Sequence, residues 1–154
     1  MKVGVLSDTH GLLRPEALDA LRGSDHILHA GDVGDPAILD RLRALAPVTA
    51  IRGNIDRSGP CADLPATEAV ELAGHLLYLI HDISELDLNP AAAGIAAVIY
   101  GHSHKPALEC RNGVLYLNPG SAGPRRFSLP LGIAFLHLEP TKSIRAELLP
   151  LNPS

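Results

Sequence analysis

Three short apolar runs in the first third of the chain each stop at a polar, glycine-bearing loop, and proline opens a helical stretch after the first two. Val3 to Leu6 ends at Ser7-Asp8-Thr9-His10-Gly11, and Pro15 sits just inside a helix predicted to about Arg22. His26 to Ala30 ends at Gly31-Asp32, Pro36 begins a helix predicted through Leu45, and Val48 to Ile51 runs into Gly53-Asn54. Proline suits a first helical turn because the N–H it lacks has no partner there. Strand, helix, strand, helix, strand requires right-handed crossovers and parallel strands. Such strands bring their carboxyl ends to one edge, the usual place for a site in an open α/β sheet.

After Pro60 the pattern changes. Val70 to Ile80, Val98 to Tyr100, Val114 to Leu117, Ile133 to Leu138 and Ile144 to Leu149 read mainly as strands, with turns at Gly74, Asn112-Gly113 and Pro140-Thr141. Many strands and few helices predict a second, largely antiparallel or mixed sheet stacked on the first, both covered by helices. A length of 154 residues, 46% apolar and 19% charged, suits a single domain over 1–154, and no linker or repeat interrupts it.

Charge and composition narrow the function. Seventeen acidic against thirteen basic residues leave a net charge of −4, which removes the broad cationic surface that non-specific nucleic-acid binding needs. Aromatic residues are 3% and tryptophan is missing, so base-stacking platforms are disfavoured as well. Any anionic substrate must be held locally. The longest uncharged stretch, Leu88 to His104, is broken by Asn, Pro, Gly and His and does not read as a membrane span. Asp8 follows the first apolar run directly, without the pattern of a signal peptide, and two cysteines, Cys61 and Cys110, are too few for a disulfide framework. A reducing cytoplasm is the expected location.

The chemistry-bearing residues sit where strands stop: Asp8-Thr9-His10, Gly31-Asp32, Gly53-Asn54-Ile55-Asp56, His81-Asp82 and Gly101-His102-Ser103-His104. All are hard or borderline N/O donors. In extended backbone, side chains two apart share a side, so Asp8 with His10, and His102 with His104, are expected to form two pincers that converge with Asp32 and Asn54 on a pair of cations. Taken singly, each element has an ordinary structural use: helix caps for Asp8 and Asp32, Asx turns for Asn54 and Asn118, tight turns for the glycines.

Five blocks in order, Asp8-Thr9-His10, Gly31-Asp32, Gly53-Asn54-Ile55-Asp56, Gly101-His102-Ser103-His104 and Asn118-Pro119-Gly120-Ser121, resemble those of the calcineurin-like metallophosphoesterases, and more narrowly the small YfcE-type phosphodiesterases. The resemblance covers nearly the whole chain. It implies a four-layer αββα sandwich of two mixed β-sheets flanked by helices, with a two-metal site at the edge. It also implies a ligand set: Asp8, His10 and His104 on one metal, Asn54, His81 and His102 on the other, Asp32 bridging, with Asp32, Asn54 and His81 as catalytic residues. The implied activity is a phosphodiesterase in which a metal-bridging hydroxide attacks phosphorus. Manganese leads as the cofactor pair, with iron, zinc or nickel also suited to these donors. A phosphate monoesterase sharing the site is the near alternative. A non-catalytic protein-binding scaffold of the same fold is the distant one, and such scaffolds tend to lose the His that this chain keeps as His10.

Two positions depart from the pattern. Ile55 stands where much of the superfamily has a His thought to protonate the leaving group, which leaves Asp56 or His29 as candidate donors. His81-Asp82 stands where His-Gly-His is frequent. Pro124-Arg125 matches a Pro-Arg near the site mouth of similar proteins, making Arg125 a candidate phosphate contact. His29 is a candidate partner behind the site, whereas His26, His75 and His137 match no ligand position. The expected substrate is a small phosphate ester. Neither a membrane nor a nucleic acid is an expected partner, and a second copy of the chain is left open because no inserted cap encloses the site.

Overall fold

A computed structural model of the chain describes residues 1–152, in which ten strands form two five-stranded sheets. The first third is the expected alternation: β1 (Lys2–Leu6), α1 (Pro15–Leu21), β2 (His26–His29), α2 (Pro36–Arg43) and β3 (Val48–Ala50). β1, β2 and β3 are parallel, with Val3 opposite His26 and Ile27 opposite Val48. The helices stop slightly before their expected ends, α1 at Leu21 ahead of Gly23 at φ 84° and α2 at Arg43. Asp35 caps α2 by accepting the Ala37 N–H.

The later chain gives β4 (Thr67–Leu72), β5 (His75–Ile80), β6 (Ala97–Ile99), β7 (Ala107–Arg111), β8 (Val114–Asn118), β9 (Gly132–His137) and β10 (Arg145–Pro150). Their distribution differs from the sequence reading. The first sheet runs β10-β9-β1-β2-β3 and the second β4-β5-β6-β8-β7, so β9 and β10 join the first sheet, β9 antiparallel to β1 and β10 antiparallel to β9 at the edge. β7 was not expected as a strand. Its side chains are mostly exposed, so it lacks the apolar signature that marks a strand, and it forms because the Asn112-Gly113 turn folds it back on β8.

Period-two alternation divides the core. Val3, Val5, Leu28, Ala134 and Leu136 face the second sheet and meet Leu77, Leu79, Ala97, Ile99 and Leu117. Leu6, Ile27, Ile133 and Phe135 face the opposite way, against Ala17 and Leu21 of α1 and Ile38, Leu39 and Leu42 of α2. On the far side of the second sheet, Val98, Tyr100, Val114 and Tyr116 pack with Ile83, Leu86 and Ile95. The fourth layer is thin there, built from the 3₁₀ turn Ile83–Glu85 and the segment around Ile95. The result is the αββα arrangement, with the carboxyl ends of β1, β2, β3, β5 and β6 opening on the same edge. No helix among the described residues is long and apolar enough to cross a membrane.

Candidate metal centre

The Asp8-Thr9-His10 loop leaves the end of β1 and is zipped to the Gly31-Asp32 loop by backbone bonds. Asp8 N donates to Gly31 O (3.0 Å), His10 N to Asp32 O (2.8 Å) and Gly11 N to Val33 O (2.9 Å). Five of the seven candidate ligands have left-handed backbone: Asp8 (φ 58°), His10 (47°), Asp32 (55°), His102 (70°) and His104 (63°). Such conformations are disfavoured for residues with a side chain and persist only where surrounding bonds impose them. The expected reason for convergence is therefore corrected. Asp8 and His10 meet because the chain turns sharply past the strand, not because an extended strand alternates its side chains. His102 and His104 do not form one pincer. They separate, His104 toward His10 and His102 toward Asn54.

Asp8 Oδ1 lies 3.6 Å from His10 Nε2, 3.4 Å from His104 Nε2 and 3.8 Å from His81 Nε2. Asp32 Oδ2 lies 3.3 Å from His10 Nε2 and 3.2 Å from His81 Nε2, between the two halves of the site. Two groups of donor atoms are close enough to hold an ion, Asp8-His10-His104 and Asp8-Asp32-His81. Beside the second, Asn54 Oδ1 is 3.1 Å from His102 Nδ1, and the His81 and His102 rings stand 5.2 Å apart. All seven candidate ligands are thus brought to one place. Arg125 is exposed on the loop after Pro124 and is not part of the cleft described below.

The donors fit cations on physical grounds. His81 Nδ1 is 2.7 Å from the Ala30 carbonyl, which only accepts, so this nitrogen carries the proton. In the neutral ring, the form that binds a cation, the Nε2 lone pair would face two carboxylates. Asp8 Oδ1 and His81 Nε2 are buried without a hydrogen-bond partner among the described residues. Lone pairs facing lone pairs out of water are costly unless a positive charge sits among them. Burial works against charging His81, yet Asp32, Asp8 and the Ala30 carbonyl together push its pKa above the usual range. Burial likewise opposes ionisation of Asp8 and Asp32, but His10, His104 and His81 hold Asp8, and His81 with the Ile55 N–H holds Asp32, below the ordinary carboxylate range.

Several residues brace the ligands from behind: His29 is expected there from its place on the strand end, whereas the bracing roles of Asp56, Asn118 and Ser121 are not apparent from sequence. Asp56, 4% exposed, accepts the N–H groups of Val33 (3.1 Å), Gly34 (3.0 Å) and Gly53 (2.9 Å), joining the loops that carry Asp32 and Asn54. Both its oxygens are occupied, so it is not placed to protonate a leaving group. His29 is fully buried. Its Nδ1 accepts the Gly31 N–H (3.2 Å), and its Nε2 donates to Thr9 Oγ1 (3.0 Å), whose own proton goes to Val33 O (2.8 Å). Burial, against the pull of Asp8 and Asp56, lowers His29 to about 4, so it is a neutral strut. Asn118 Nδ2 donates to Gly101 O (3.0 Å), and Ser121 Oγ donates to Asp8 O (3.1 Å). The Asn118-to-Ser121 block therefore supports the ligand loops from behind.

Two glycines are required by close approach. A Cβ on Gly53 would stand 2.1 Å from Asp32 Oδ1, and one on Gly101 would stand 2.1 Å from Ser7 Oγ and 2.6 Å from Asp8 Oδ2. Past His81 and His102 a cleft of about 420 Å³ opens, lined in part by Arg52, Tyr78 and Asp82. Burial opposes the ionisation of Asp82, but Ser84, His102 and His81 hold it below the ordinary range. Ile55 is 41% exposed. His26, His75 and His137 bond to Thr49, the Glu139 carbonyl and Glu147, away from the ligand set. Cys61 is buried and Cys110 exposed, both as free thiols.

Comparison with known proteins gives a consistent picture. The profile of the Calcineurin-like phosphoesterase superfamily domain matches residues 1–141. A probable metallophosphoesterase of Methanocaldococcus jannaschii is 34% identical over 164 aligned positions, covering 98% of this chain and 82% of the relative. The phosphoesterase YfcE of E. coli superposes with a TM-score of 0.70 at 25% identity, covering 97% of this chain and all of YfcE. Vps29 of Entamoeba histolytica, in a zinc complex, superposes with a TM-score of 0.74 at 24% identity over 99% of this chain and all of Vps29, a likeness of fold.

Proposed function

The chain belongs to the calcineurin-like phosphoesterase superfamily and is a metal-dependent phosphoesterase, and on that premise we propose that it is a phosphodiesterase working with two divalent cations. One observation carries the reading: His81 Nε2 and Asp8 Oδ1, both buried and without a hydrogen-bond partner among the described residues, lie 3.8 Å apart, with Asp32 Oδ2 3.2 Å from His81 Nε2, an arrangement that calls for positive charge. Asp8, His10 and His104 would hold one cation, Asn54, His81 and His102 the other, and Asp32 both. Divalent ions bound there would supply the charge that grips phosphoryl oxygens and would lower the pKa of water enough to give a nucleophile near neutral pH. The donor set suits manganese first, with iron, zinc or nickel as substitutes.

The chain's own contribution is positional. Two carboxylates against four positive charges leave a local surplus that attracts phosphate to an otherwise acidic protein. Ala30 fixes the His81 ring through Nδ1, Ile55 N fixes Asp32 through Oδ1, and Ser7 Oγ with His102 N fixes Asp8 through Oδ2. Each leaves the remaining donor atom free to face the site. The Ile55 side chain has no proton to give, and His29 and Asp56 are committed behind the site, so the leaving group departs largely as its anion. The cleft beside His102 favours a diester over a monoester, since it provides room for a second substituent. The free thiols Cys61 and Cys110 suit a reducing cytoplasm.

The test is to strip the protein of metal, restore manganese, iron, zinc and nickel in turn, and compare bis(p-nitrophenyl) phosphate with p-nitrophenyl phosphate. The expected result is metal-dependent turnover with the diester preferred. A protein that takes up no divalent ion would overturn the site, and a preference for the monoester would overturn the diester assignment alone.

A further inference from the structure

The cleft beside the metal centre has a charge of its own. Its volume is about 420 Å³, larger than a phosphate group needs and within the range of small-ligand pockets. His81 and His102, two of the candidate ligands, line it, so the cleft adjoins the metal centre where the phosphate is expected. Outward from there the walls carry three carboxylates, Asp82, Glu85 and Asp87, against one guanidinium, Arg52. Arg52 is partly committed, since its Nη1 donates to Leu64 O (2.7 Å). Asp82 spends Oδ1 on Ser84 and leaves Oδ2 3.8 Å from His102 Nε2. Arg57, the other cation of this loop, donates to Asn54 O and does not line the cleft. Tyr78 adds an aromatic ring to the wall.

A diester bound at the metals places one substituent along these walls. A phosphate or carboxylate on that substituent would meet a net charge of the same sign. An ammonium would meet carboxylates and an aromatic ring, the pairing that recognises quaternary amines. Building on the phosphodiesterase reading above, we infer that the cleft selects a cationic substituent, so that the preferred substrates are zwitterionic phosphodiesters of an ammonium-bearing alcohol. Polyanions such as nucleoside polyphosphates are the substrates it disfavours. The acidic walls thus complement the metals: the cations take the phosphodiester anion, and the protein takes the opposite charge on its substituent.

Two diesters of the same shape and leaving group isolate the charge: p-nitrophenyl phosphocholine and its carbon isostere, p-nitrophenyl 3,3-dimethylbutyl phosphate. In both, the oxygen of water bonds to phosphorus, the bond from phosphorus to the aryl oxygen breaks, nitrophenolate leaves with the electron pair, and the proton of water passes to solvent. The cationic diester should show a kcat/KM higher by about tenfold at low salt, chiefly through KM, and the ratio should shrink as ionic strength rises. The double variant Glu85→Gln/Asp87→Asn should bring the ratio toward one. A readout without turnover is the titration of tetramethylammonium into the metal-free protein, which should shift the amide resonances of residues 82–87 saturably while tert-butanol does not. Equal efficiency on the two diesters would overturn the inference and leave the phosphodiesterase reading standing. A ratio insensitive to salt or unchanged in the double variant would mean that shape rather than charge selects, and would overturn it too. Failure to hydrolyse either diester with any restored metal would sink both readings together.

Discussion

Replacing Asp56 tests whether the site is held together from behind. Its carboxylate takes three backbone N–H groups, those of Val33, Gly34 and Gly53, and hydrogen bonds to a charged acceptor are worth roughly 1.5–3 kcal/mol each. The three do not sum. Gly34 is exposed and Gly53 half-buried, so both can turn to water when the carboxylate is removed, whereas Val33 is fully buried and its N–H would be orphaned. Removing the charge also recovers part of the cost of burying it. Asp56→Ala is therefore expected to cost about 3 kcal/mol, a large share of the roughly 5–15 kcal/mol that holds a typical domain together, and to lower Tm by on the order of 10 °C. Asp56→Asn keeps the shape but offers one acceptor oxygen where the structure uses two, so it should also destabilise. Urea unfolding of metal-free protein measures both, with the m-value checking that the transition is unchanged in kind. A near-neutral Asn variant, or an Ala variant costing under about 1 kcal/mol at constant m, would show that these three bonds do not fix the loops.

Further expectations follow from other parts of the site. His29 is about 4 when folded against an ordinary 6.5, so the native state binds fewer protons than the unfolded chain; its contribution is complete above pH 6.5 and falls by roughly 3 kcal/mol as pH drops to 4. Unfolding of His29→Gln across that window should lack this loss, with His81 cancelling in the difference, and parallel curves for the two proteins would refute the assignment. Asp32→Ala should lose more metal, by elemental analysis, than His81→Ala, because Asp32 Oδ2 lies against both His10 and His81; equal losses would mean that Asp32 does not serve both halves. With Ile55 at the donor position, a series of aryl diesters should give a steep dependence of rate on leaving-group acidity, flattened in Ile55→His if the new imidazole reaches the site. A flat series in the unaltered protein would reveal another donor.

The alternation of apolar runs, glycine-bearing loops and first-turn prolines is a local signal, and it sufficed for β1, β2, β3, α1, α2 and the edge at which their loops gather. The ligand types were legible for the same reason, because Asp8, His10, Asp32, Asn54, His81, His102 and His104 all fall where apolar runs stop. Partner choice is not local. Ile133 to Leu138 reads as a strand on its own residues, but pairing it with Lys2–Val5 rather than with the second sheet depends on hydrogen bonds closed across more than a hundred residues. β7 had no apolar period to announce it. The left-handed turns at five ligands run against intrinsic preference, and only the cross-bonds between the Asp8 and Asp32 loops, with Asp56, His29, Asn118 and Ser121 behind them, hold the backbone there. Residue types and their order were enough to say which atoms could bind a cation. Which of those atoms are stripped of water and left without a partner depends on burial and long-range pairing, and these exist only once the chain has folded.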